Sequence, residues 1–243
     1  MKHDFALLKQ VLAARMPRDR SVRGWLGVFP ATIALIGFII FVGLLTGGDT
    51  SADFAEKLDR YGLSYEMLRD GRFWHLLTGT FIQSDPGIAW SMVLLLVTSL
   101  APCEYLAGSK RMLITFFTCD WVGSLLMVIG VRLLAALDIA DAVRRLSMPD
   151  SGSSAAAHGC MAAAMMLLPR RLAFIAYGAF LGVTLGLLFQ QELDAAIAHL
   201  AAVLMGGALG WFLWRPAVEA ENARAPVATV ETGSGANLPL GRN

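Results

Sequence analysis

Apolar residues in this chain gather into blocks of about membrane-crossing length, separated by short polar stretches rich in Gly and Pro. A helix needs about 20 apolar residues to cross roughly 30 Å of hydrocarbon. Six blocks qualify or nearly so: Val28 to Thr46, Ile88 to Leu106, Met112 to Leu137, Ser154 to Leu168, Leu172 to Phe189 and Ala195 to Trp214. The pattern predicts an all-α membrane protein, with six transmembrane helices in one bundle over residues 28–214. An arm, 1–27, precedes the bundle, and a tail, 215–243, follows it. The tail has no apolar period and is expected to be disordered. The fourth block is the short one, only about fifteen residues before Pro169. If that end sits at the inner surface, its top reaches roughly 22 Å and stops below the outer one.

Composition supports the membrane reading: 56% of the 243 residues are hydrophobic and 16% charged, against roughly half and a quarter in soluble domains. The net charge of +1 indicates no nucleic-acid partner. Cys103, Cys119 and Cys160 all fall inside apolar blocks without metal-type spacing, so they are expected to be small buried side chains and no metal site is expected.

Where the charges sit sets orientation. Lys2, Lys9, Arg15, Arg18, Arg20 and Arg23 precede the first block, and basic residues concentrate on the cytoplasmic side. Alternation then places Lys110, Arg111, Arg170, Arg171 and the tail from Arg215 inside too, giving an N-in/C-in topology. The long outer loop, about 47–87, carries more acids than bases. Arg144 and Arg145, in the next outer loop, break the rule. The first block is of full spanning length and lacks a small-residue cleavage site, so it is read as retained. Phe5, Leu8 and Leu12 share a helical face, so the arm either lies on the inner membrane surface or forms a solvated helix. The expected location is the lipid bilayer of a bacterial inner membrane.

Polar groups inside spans are costly and default to function. Asp120, Ser154, His158 and His199 stand out. A rise of about 1.5 Å per residue sets Ser154 and His199 each about 7 Å below the outer surface. An imidazole that accepts the serine proton makes the hydroxyl a nucleophile. Ala198, Ala202, Gly206 and Gly210 form a small-residue stripe that lets helices approach closely. Each feature also has an ordinary use, since serine bonds back to its own helix and small stripes are generic packing devices. Asp120 and His158, about 13 and 16 Å above the inner surface, are expected to pair, as a structural tie or as a proton relay.

The peptide Gly152-Ser153-Ser154-Ala155-Ala156-Ala157-His158-Gly159 resembles the G-x-S-x-x-x-x-G segment of the rhomboid intramembrane serine proteases. Ala198-His199, followed by Ala202 and Gly206, is similar to that family's A-H-x-x-G-x-x-x-G, with Ala202 in place of the first Gly. RFWHLLTGTF and Glu104-Tyr105-Leu106-Ala107-Gly108 followed by Arg111 are like its W-R-L-x-T-x-x-F and E-x-x-x-G-x-x-R. The likeness covers about Trp74 to Trp214. It implies a six-helix rhomboid-like bundle, with Ser154 as nucleophile and His199 as base, acting on transmembrane protein substrates without metal or organic cofactor. The family's H-x-x-x-x-H-x-x-x-N falls on Gln83, Ile88 and Met92, so two usual oxyanion donors are replaced. Gln83, Ser91 and the backbone about Gly152 are the candidate substitutes. An inactive rhomboid-like protein that binds membrane clients, or a small proton-linked transporter using Asp120 and His158, are the alternatives.

Overall fold

In a computed structural model, the described residues are 26–46, 51–83, 89–187 and 192–224, with scattered positions before 26. Ile88, Phe5, Leu12 and the tail beyond 224 lie outside them. The described chain is all-helical: α1 (Pro30–Thr46), α2 (Ser51–Tyr61), α3 (Tyr65–Arg69), α4 (His75–Phe81), α5 (Ala89–Ala107), α6 (Ser109–Ala135), α7 (Ala140–Arg145), α8 (Ser154–Met166), α9 (Arg170–Leu187), α10 (Leu193–Ala208) and α11 (Arg215–Arg224), with a π-helical stretch, Leu209–Trp214, between the last two. Among the described residues, four segments are long and apolar enough to cross a membrane: Trp90–Ala107, Ser109–Ala135, Arg170–Leu187 and Leu193–Ala223. The 17-residue α1 is apolar but shorter, and α8 has only 13 residues. Each of the six expected blocks is therefore a helix.

The short α8 sits at the centre. Its alanines 156, 157, 162 and 163 are fully buried, packed by α5, α6 and α10. Alanine and glycine make this possible by letting backbones touch. A Cβ on Gly206 would lie 2.1 Å from the Gly159 carbonyl oxygen, and one on Gly210 2.7 Å from that of Ala163. The stripe Ala198, Ala202, Gly206 and Gly210 is thus the seam of α10 against α8 and α6, with all four residues buried.

Glu104 joins α5 to α1. Its buried carboxylate accepts the Ala31 and Thr32 N–H groups at 2.9 and 2.8 Å, and the Ser109 hydroxyl at 2.6 Å. Those two amides have no partner within their own helix, so an acid there satisfies both orphan donors and the helix dipole.

One expectation needs correction. The tail does not lose order at 215: the last span runs through the π turn into α11, where Arg111 of α6 forms a two-pronged ion pair with Glu221. The pair and the continuous backbone give residues 215–224 partners that an apolar count does not register. Arg145, the exception to the charge rule, is not a loop charge in solution. Its side chain is 5% exposed and bonds Asp141 (3.0 Å), Glu192 (3.1 Å) and Asp194 (2.5 Å), which fastens α7 to the start of α10.

The seam sets a stability test. Gly206→Ala is expected to destabilise the protein by about 1–3 kcal/mol through overpacking against backbone, whereas Gly37→Ala, with open space around the added carbon, leaves thermal unfolding in detergent nearly unchanged. Equal melting of the two variants contradicts the backbone contact.

Candidate functional site

Ser154 is the first residue of α8, and the chain before it is held by the segment between α1 and α5. Leu63 and Asp150 exchange two backbone hydrogen bonds, each 2.8 Å, and the Gly152 N–H donates to Gly79 O of α4 at 2.9 Å. Gly152 has φ +114°, a conformation that side-chain-bearing residues rarely adopt. Gly62 is required sterically, since a Cβ there would lie 2.9 Å from Pro149 Cβ and 2.7 Å from Leu58 O. The first-turn entry of α8 is thus fixed from two sides before any side chain of the site is placed.

The Ser154 hydroxyl lies 2.8 Å from His199 Nε2. His199 is 9% exposed on α10, so the pair is largely shielded from water. The serine proton can pass to Nε2 as the oxygen attacks an electrophile, which is how a poor nucleophile becomes a good one. A second imidazole braces the first. His158 stacks on His199 with centroids 4.2 Å apart and planes 16° from parallel, and Phe180 of α9 covers its other side at 5.8 Å. His158 Nδ1 is 2.8 Å from the Ser154 carbonyl oxygen. A carbonyl only accepts, so the His158 proton sits on Nδ1.

Of the candidate supports, Gln83 reaches the site. Its Nε2 donates to Ser153 Oγ at 3.3 Å, and its Oε1 is buried without a partner beside Gly152. Ser91 is exposed near the start of α5, and Met92 packs against the apolar cluster around Leu96 and Phe116.

The expected Asp120–His158 pair does not form. Asp120 Oδ2 meets the Thr80 hydroxyl of α4 at 2.5 Å, while the ring of His158 is turned to its own helix and to His199. Depth along the two helices was matched. The hydroxyl of a third element and the Ser154 carbonyl were the nearer partners.

Near the N-terminal ends of α8 and α10, Arg145, Asp150, Glu192 and Asp194 form a charged group that sequence reading missed. Arg145 stays charged: burial works against it, but the hydrogen bonds it donates to Glu192, Asp194 and Asp141 outweigh that and raise its pKa. Burial, then the Asp194 and Glu192 charges, push the Asp150 carboxyl up to about 7. The available signals were the glycines at 62, 79 and 152 and the misplaced Arg144 and Arg145. No group of three or more His, Cys, Asp or Glu among the described residues is arranged to hold a metal ion.

Compared with models of known families, with curated proteins and with solved structures, the chain matches none.

Asp150 gives a pH prediction. A carboxyl whose pKa is raised on folding binds its proton more tightly in the native state, so its contribution is fully present below about 4 and is lost as pH rises through about 7. Unfolding temperatures of wild type and Asp150→Asn in detergent, measured across that range, are expected to differ in slope, the wild type losing stability relative to the variant as pH rises. Parallel curves refute the assignment.

Proposed function

We propose that the chain is an intramembrane serine protease of the rhomboid type, a six-span N-in/C-in bundle that cuts membrane-anchored proteins in a bacterial inner membrane. The observation that carries the reading is the 2.8 Å contact between Ser154 Oγ and His199 Nε2, at the mouth of a helix too short to span. Ser154 attacks the scissile carbonyl while His199 takes its proton. The tetrahedral intermediate collapses, His199 gives the proton to the leaving amine, and an acyl-serine remains. Water, deprotonated by His199, then releases the new carboxyl end and regenerates the hydroxyl. Negative charge on the intermediate's oxygen is met by backbone N–H groups at the start of α8 and by the Gln83 carboxamide, which sits beside Ser153. His158, stacked on the base, keeps the His199 ring from turning away.

A second reading is favoured by one observation: Met92, at a position where the family resemblance calls for a donor, is committed to apolar packing. On that reading the protein binds membrane clients without cutting them. The proton-linked transporter is left without its Asp120–His158 pair, and we do not propose it.

A fluorophosphonate probe separates the first two without a known substrate. Wild-type protein in detergent is expected to label covalently, and Ser154→Ala and His199→Ala to lose labelling. Undiminished labelling of Ser154→Ala removes the proposed nucleophile, and unlabelled wild type favours the silent binder. Gln83→Ala is expected to lower the labelling rate by about a hundredfold or more if its amide is an oxyanion donor; an unchanged rate removes it from that role.

A further inference from the structure

Asp120 is buried in the middle of α6 at 2% exposure, and the proposed chemistry leaves it without a role. Its surroundings give it one. Thr80 Oγ1 lies 2.5 Å from Asp120 Oδ2 and 2.9 Å from the Leu76 carbonyl oxygen. A hydroxyl has one proton and the Leu76 carbonyl can only accept. If that proton goes to Leu76, the contact with Asp120 needs a second proton, and the only place for it is the carboxyl group. The chain then reads Asp120 Oδ2–H to Thr80 Oγ1–H to Leu76 O, with every link satisfied. The other oxygen, Oδ1, has no hydrogen-bond partner, although the first-turn N–H of Ala156 approaches the carboxyl group. A carboxylate with no cationic partner is more costly in such a place than a neutral acid. No basic side chain among the described residues pairs with Asp120.

We propose that Asp120 is a neutral carboxylic acid that pins α4 and the start of α8 to α6, and so acts as a positioning residue for Ser154. Thr80 adjoins Gly79, whose carbonyl receives the Gly152 N–H two residues before the nucleophile. The pin therefore acts on Ser154 through the backbone on one side and through Ala156 on the other. Neutrality also matters for the charge that develops during attack, because a carboxylate at this helix end would oppose it. This functional half rests on the protease reading; the proton placement does not.

Infrared difference spectra of wild type against Asp120→Asn in detergent test the placement directly. The carbonyl stretch of a protonated carboxylic acid is expected in wild type, absent in Asp120→Asn, and displaced in Thr80→Val. Absence of that band from wild type overturns the proposal whether or not the protein is a protease. Asparagine can donate to Thr80 and accept at Oδ1 as the neutral acid does, so Asp120→Asn is expected to label with the fluorophosphonate probe within about threefold of wild type, and Thr80→Val to fall about tenfold or more. Loss of labelling in Asp120→Asn, with wild type labelled and both melting normally, means that the negative charge is needed and also overturns it. Should wild type fail to label, the protease reading fails while the infrared band still decides the proton's place.

Discussion

Everything in this molecule that bears on chemistry depends on how closely α8 and α10 approach. With 2.1 Å between a hypothetical Gly206 Cβ and the Gly159 carbonyl oxygen, the two backbones are in direct contact. Serine and histidine have short side chains, and a 2.8 Å bond between them across two helices is available only at that spacing. Hydrophobic burial does not set it, because lipid is as apolar as the helix faces; packing of small residues does. The alanine content of α8 follows from the same constraint, since the helix meets neighbours on every side.

A short helix packed inside a bundle must be entered by a stretch of non-helical backbone, and that backbone needs hydrogen-bond partners of its own. The segment between α1 and α5 supplies them. Leu63 pairs with Asp150, Gly79 receives Gly152, and the pin at Thr80 ties the same α4 to the middle of α6. Arg145 adds a polar clasp from α7 to α10 at the rim. The segment between α1 and α5 is therefore part of the site's scaffold, with three helices of its own, and the serine is positioned by elements more than 70 residues away in sequence.

Much of this was legible from residue order. Block length located the helices to within a few residues, because hydrocarbon thickness leaves little choice. The shortness of the fourth block, counted from Pro169, put Ser154 and His199 at one depth, and the small-residue stripe indicated that their helices touch. Counting along helix axes carries no information about azimuth, and there the reading failed: Asp120 and His158 have similar heights but different partners. Nor does a hydropathy pattern register partners for polar residues, so it missed both the clasp that absorbs Arg145 and the continuation of the last helix past Arg215. Thr80, in a loop helix, had no periodic signal to mark it.

The C-terminal end of α8 is closed in a complementary way. Just beyond the π turn, whose extra residue per turn rotates the helix that follows, the Arg215 guanidinium donates to the Met166 and Leu168 carbonyls while lying over the Trp211 ring. A positive group therefore caps the negative end of a dipole about 20 Å long. As the neutral acid proposed above, Asp120 adds no charge against the positive potential that the helix directs at Ser154. In a low-dielectric interior that potential is barely screened, so the short helix works as a fixed electrode whose field falls on the Ser154 hydroxyl.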